Sequence, residues 1–326
     1  MLRSLRASYG SARVIAGVFV FTFWLGGCAL LVPQTEELRT AWPAGLADRV
    51  ELTEVPFFPQ RDFQCGPAAL ATVLANLQLK IAPEDLVGEV YLPAREGSLQ
   101  VEMLAAARRH DMLSYRLSPR FEDLLREVAA GTPVIVLQDY GVWPISLWHY
   151  AVVVGYDYEK REVLLRSGET RTLRIPFGIL EYTWKESDYW SMIVLPPDRV
   201  PVTATEPAYL AAVLALERVG NSRATRSAYA ALLGRWPGNL SASIGLAGSY
   251  HKLGELQQAE TELRRAADRH PDSAIVLNNL AQTLSDLGRD DEALPLIDRA
   301  VTLGGPLVDA VRQTRGAILK KLNKNN

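Results

Sequence analysis

Two side chains in this 326-residue chain could make a thiol nucleophile and its base, Cys65 and His149. Both residue types are scarce: there are two cysteines and four histidines. Cys65 stands in Phe63-Gln64-Cys65-Gly66-Pro67-Ala68-Ala69-Leu70, at the head of an apolar run that continues to Leu79 and reads as a helix. Pro67 is tolerated in a first helical turn, where N–H groups lack intrahelical partners anyway. Those orphan N–H groups and the positive end of the helix dipole would face the sulfur. That setting predicts a thiol pKa below its free value of about 8.5. The bland alternative is a small buried hydrophobe, the commonest state of a free cysteine. His149 opens a strand-like run, Tyr150-Ala151-Val152-Val153-Val154-Gly155-Tyr156. A lone strand histidine is usually structural, but a thiol nucleophile needs an adjacent base. His110 follows Arg108-Arg109 in a charged stretch, and His251 and His270 lie far along the chain in a different texture.

The elements that must position this pair fall in an α+β order. Helical pieces come first: the Cys65 run, one opening at Pro83, one after Ser98 as a plausible N-cap, and Phe121 to Ala130, ended by Gly131. Strand runs follow at Pro133–Leu137, Tyr150–Tyr156, Glu162–Arg166, Thr170–Ile175 and Ser191–Leu195. Their turn-separated spacing predicts an antiparallel meander.

Gln60, the Cys65-Gly66-Pro67-Ala68-Ala69-Leu70-Ala71 block and the His149-to-Asp157 block, in that order, resemble the papain-like peptidases that process bacteriocin leaders at double-glycine sites, in their free-standing form. The likeness runs from about Val55 to Leu195. It implies Cys65 as nucleophile, His149 as general base and Gln60 as the oxyanion-hole amide, with Gln64 the alternative. The Cys65 N–H would be the second oxyanion donor. The family places an Asp or Asn on the next strand to orient the imidazole. Here that strand reads Val163-Leu164-Leu165-Arg166-Ser167-Gly168-Glu169, so Ser167 is the candidate orienting residue, with Asp139 a distant second.

The amino terminus has Arg3, Arg6 and Arg13 before an apolar stretch from Val14 to Gly27, the pattern of a signal peptide. It ends Leu25-Gly26-Gly27-Cys28, which resembles the bacterial lipobox, implying lipidation at Cys28. No Asp follows Cys28, so the resemblance implies an outer-membrane anchor facing the periplasm of a Gram-negative cell. Near the other end, Gly220, Gly254 and Gly288 recur at one spacing, as do Tyr229, Leu263 and Ile297, and the pairs Ala247/Ala281, Ala259/Ala293, Ala266/Ala300 and Pro237/Pro271. A period of about 34 residues resembles tetratricopeptide repeats. Such arrays present a concave face to peptides or partner proteins.

The predicted organisation is a signal peptide over 1–28, a tether over 29–50, a papain-like α+β domain over 51–198, a linker over 199–206 and an all-α tetratricopeptide solenoid over 207–322. An apolar content of 48% is ample for such cores. A net charge of −2 gives no reason to expect a nucleic-acid partner. Two distant cysteines exclude a disulfide framework. No ligand spacing suggests a metal or cofactor. The expected partners are a protein or peptide substrate, a protein at the repeat face, and a membrane through the lipid. The competing reading is a catalytically decayed papain-like fold that acts as a protein-binding adaptor.

Overall fold

A computed structural model describes residues 31–60, 64–142 and 144–325. The signal peptide and Cys28 lie outside the described residues. Among the described residues no helix is long and apolar enough to cross a membrane. The chain forms two compact units: the residues up to Leu99 with Arg116–Ile193, and Gln100–Tyr115 with Val194–Asn326.

The first unit is built on a sheet whose order is β9-β5-β6-β7-β8: Ser191–Leu195, Val134–Asp139, Trp148–Asp157, Glu162–Ser167 and Thr170–Pro176. β5, β6, β7 and β8 form an antiparallel meander, β9 lies antiparallel on the other side of β5, and β1 (Arg49–Glu51) pairs antiparallel with β6. Continuous apolar runs of strand length are expected in fully covered strands. β5 and β6 comply: Val134–Gln138 and Tyr150–Asp157 are buried throughout. Helix α2, Cys65–Asn76, is apolar on every side, and Gly66–Leu74 are all buried, as such a helix must be. α3 (Pro83–Val90) and α5 (Phe121–Ala129) form as expected from sequence, whereas the small hairpin β2–β3 (Tyr91–Leu92 and Gly97–Ser98), which follows α3, is not an element the sequence predicts.

Three further elements depart from that expectation. The stretch read as a tether folds from residue 33 onward: Pro33–Thr40 is helix α1. Its amide groups at Gln34 and Thr35 donate to the two carboxylate oxygens of Glu181 at 2.9 and 2.6 Å. Orphan N–H groups at a helix start are anion sites, and a buried carboxylate supplies the anion. Glu181 belongs to a second missed element, α6 (Phe177–Trp184), between β8 and β9. The third is strand β4 (Leu113–Arg116), which follows helix α4 (Gln100–Arg109).

The second unit carries seven further helices from residue 206. They are α7 (Glu206–Glu217), α8 (Ser222–Arg235), α9 (Leu240–Lys252), α10 (Leu256–Arg269), α11 (Ala274–Asp286), α12 (Asp290–Leu303) and α13 (Val308–Asn325). Gly220, Gly254 and Gly288 follow the first helix of each pair at φ of 92°, 75° and 76°, the left-handed conformation that glycine adopts without penalty. The repeated positions are the core: Tyr229, Leu263 and Ile297 are buried, as are the alanines at 247, 259, 266, 281, 293 and 300. Asn221, Asn239 and Ser273 cap the helices that follow them through side-chain oxygens.

Candidate active site

Cys65 is the first residue of α2, with Gln64 as the residue before the helix and its side chain not used as a cap. The sulfur, half-buried, accepts the Tyr150 N–H from β6. That amide immediately follows His149, so the histidine backbone adjoins the thiol. The Gln60 side-chain amide donates to the Tyr150 carbonyl at 3.3 Å, and the Gln60 N–H donates to the Gly168 carbonyl at 3.1 Å. Gln60, Cys65 and His149 are therefore gathered around one residue of the central strand. Ser167 joins them from β7: its hydroxyl oxygen lies 2.9 Å from His149 Nε2. Gln64 borders the same helix start.

The charge state departs from the sequence expectation. Burial pushes the Cys65 thiol up, and the N–H groups of Tyr150, Gly66 and Cys65 offset this only in part. The helix start does favour the thiolate, but desolvation outweighs it. Burial also pushes His149 down, to about 4. At neutral pH the Cys65 thiol and the His149 imidazole are therefore both uncharged at rest. Such a pair reacts by general-base transfer, the imidazole taking the thiol proton as the sulfur attacks.

Asp139 is not the orienting acid. Burial raises its pKa, but hydrogen bonds from the Gly141 N–H, Ser146 and the Leu147 N–H hold it low. One oxygen takes both amides, at 2.8 and 2.7 Å, which folds the β5–β6 loop. That loop exposes Val142, Ile145 and Leu147, and β6 opens on the exposed Trp148, an apolar lip leading into His149.

Sequence reasoning missed Tyr140. Its ring stacks on the His149 ring with centroids 5.3 Å apart, and its hydroxyl donates to Gln138 Oε1 at 3.1 Å. The available signal was Gln138, a polar residue continuing an otherwise apolar strand. His110, His251 and His270 lie elsewhere. His251 pairs with Asp286 at 2.9 Å and His270 meets the Gly238 carbonyl at 3.2 Å, both in the repeat unit. Among the described residues no cluster of His, Cys, Asp and Glu could hold a metal.

Residues 52–171 match the model of the Peptidase_C39 like family. Residues 210–266 and 240–303 match tetratricopeptide repeat models. The chain therefore joins a C39-like peptidase domain to tetratricopeptide repeats. Among curated proteins, the cellulose synthase operon protein C of Pseudomonas fluorescens is 37% identical over 82 residues, which are 25% of this chain and 6% of that protein. The chain thus spans a small fraction of that relative's length. Among solved structures, a candidate C39-like peptidase from Bacillus anthracis is 17% identical, with a TM-score of 0.39, covering 46% of this chain and 98% of that one. The TPR2B domain of yeast Sti1, solved in complex with pHsp70, is 15% identical, with a TM-score of 0.34, covering 36% and 97%.

Proposed function

We propose that the protein is an envelope lipoprotein whose C39-like domain is a thiol hydrolase of peptide or amide bonds, and whose repeats recruit a protein. The observation that carries this reading is that the Cys65 sulfur takes the Tyr150 N–H, next to His149, whose ring Nε2 lies 2.9 Å from Ser167 Oγ. In the reaction the Cys65 sulfur attacks the amide carbonyl carbon while its proton passes to His149. The Gln60 amide and the Cys65 N–H steady the oxyanion; one such donor is worth about 2.7–4 kcal/mol. His149 returns the proton to the leaving amine. Water, deprotonated by His149, then hydrolyses the thioester.

The test is covalent labelling of the mature chain by a peptide vinyl sulfone ending in Gly-Gly. Wild type should label at one site, Cys65→Ala not at all, and His149→Ala about 10²-fold or more slowly, the contribution of a general base. Equal labelling of His149→Ala and wild type would refute the enzyme reading. The second reading, an adaptor, draws support from the neutral orienting group at Ser167 and the raised Cys65 pKa. The same experiment decides between them. The anchor is tested separately: Cys28→Ser should move the protein from the membrane fraction to the soluble periplasm.

A further inference from the structure

The stretch over 29–50 reads as a tether in the sequence, yet its described part is bound to the domain from the outset. Lys185 Nζ donates to the Leu31 carbonyl at 3.2 Å. The Val32 side chain lies over Gly178, where an added Cβ would meet its Cγ2 at 3.8 Å. The Gln34 and Thr35 amides are held by the Glu181 carboxylate. The Gln34 side chain accepts the Phe121 N–H at 2.6 Å and donates to the Pro119 carbonyl at 3.1 Å. Residues 31–35 are thus fixed to α6 and to the start of α5. Three peptide steps separate Leu31 from Cys28. An extended chain covers at most about 3.6 Å per residue, so Leu31 lies within about 11 Å of the Cys28 backbone. A free chain running to residue 51 would have reached about 80 Å.

The docked end of the chain meets one side of α6. The inner side of that helix, with Phe177, Leu180, Glu181, Thr183 and Trp184, is buried. Its outer side carries Ile179 and Tyr182, 51% and 49% exposed. Three residues apart, they are neighbours on the helix surface. Lys185 continues the row: its Nζ lies 4.7 Å from the Tyr182 ring centroid and also holds the Leu31 carbonyl. Leu31 itself is exposed beside it. Lys185 lies 4.0 Å from Glu186, so the row carries little net charge. This is the chemistry of a bilayer interface. A tyrosine ring suits the headgroup level, and a lysine stem lies along apolar surface with its amine in the wet layer.

We infer that this face of α6, with Leu31, Ile179, Tyr182 and Lys185, is a membrane-docking surface, seated on the bilayer that holds the Cys28 lipid. The inference rests on the lipoprotein reading above. Singly exposed apolar residues are ordinary; what singles these out is the length of the leash. With Cys28 at the headgroups, the surface around Leu31 stays within contact reach of the bilayer. The lipid supplies the affinity and keeps the face at high effective concentration, so the face need only select an orientation. The exposed apolar residues of the β5–β6 loop, Val142, Ile145 and Leu147, have no such tie to the anchor.

The experiment uses the lipidated chain, purified from membranes and reconstituted in vesicles of phosphatidylethanolamine and phosphatidylglycerol. A nitroxide is attached at Ile179→Cys or at Val142→Cys in the Cys65→Ala background, where it takes the one free thiol. Mass spectrometry reads the lipid on Cys28, and flotation reads attachment to the vesicles. At position 179, accessibility to oxygen should rise and accessibility to a water-soluble nickel chelate should fall several-fold, relative to the same label in the Cys28→Ser chain free in solution. At position 142 neither should change. A floating chain whose 179 label keeps its solution values would overturn the inference and leave the lipoprotein reading standing. So would shielding at 142 in place of 179. Loss of nickel access at 179 without a gain in oxygen, or dipolar broadening between 179 labels, would mean that a protein or a second copy covers the face, and would overturn it too. A chain with no lipid on Cys28 would overturn both.

Discussion

The buried, uncharged His149 makes acid stability a direct measure of the site. In the folded chain its pKa is about 4, against 6.5 in a solvated chain, and burial is the cause. Protons therefore bind the unfolded chain first as pH falls. Above about 6.5 both states hold a neutral ring and nothing is lost. Between about 6.5 and 4 only the unfolded ring charges, so stability falls with falling pH; below about 4 both are charged and the loss levels off. One pKa unit is about 1.4 kcal/mol, so the loss is about 2 kcal/mol by pH 5 and about 3 kcal/mol by pH 4. His149→Gln cannot titrate and should lack this component. The assay is urea unfolding followed by tryptophan fluorescence. Of the tryptophans after Cys28, those at 42, 143, 148, 184 and 190 precede the repeat region and only Trp236 lies within it, so the signal reports chiefly on the C39-like domain. Wild type should weaken relative to His149→Gln by the stated amounts as pH is lowered from 7. Parallel curves would mean that the ring is solvated, and the argument from burial would fail.

Other consequences follow from the same geometry. Alkylation of Cys65 by iodoacetamide should be slow at pH 7 and keep climbing past pH about 8.5, the ordinary cysteine range, because burial raises the thiol; a plateau near neutrality would contradict this. Glu181→Ala should leave the Gln34 and Thr35 amides without their acceptor, costing about 3 kcal/mol locally, and amide exchange over 33–40 should accelerate about a hundredfold while β5 and β6 stay protected. A methyl group at Gly245 would overlap the Tyr229 ring, so Gly245→Ala should destabilise the repeat unit by about 1–3 kcal/mol. Thermal unfolding reads this, and Tyr229→Leu in the same chain should recover part of the loss.

Much of the molecule was legible because its signals are local. The apolar runs at 134–137 and 150–156 are continuous over strand length and bounded by turn residues, so each reads as a strand. The repeat glycines were legible because a helix ending needs a left-handed residue at one fixed spacing. Cys65 and His149 stood out as scarce residue types at the heads of two such elements. Less was legible where a contact joins distant segments of the chain. Nothing near residue 34 announces that its amide will meet Glu181, so the stretch before residue 50 read as a tether.

What the sequence by itself determined is therefore the set of elements, their order and the pair of residues able to do thiol chemistry, since periodicity and residue type are properties of short windows. What only the tertiary structure decided is the state of that pair. Desolvation depends on everything packed around a group, and it reversed the effect of the helix start on Cys65 and lowered His149 to about 4. The Tyr140 ring against His149 was likewise fixed only by the fold, because the stack joins the loop after β5 to the start of β6 and no short window of sequence announces it.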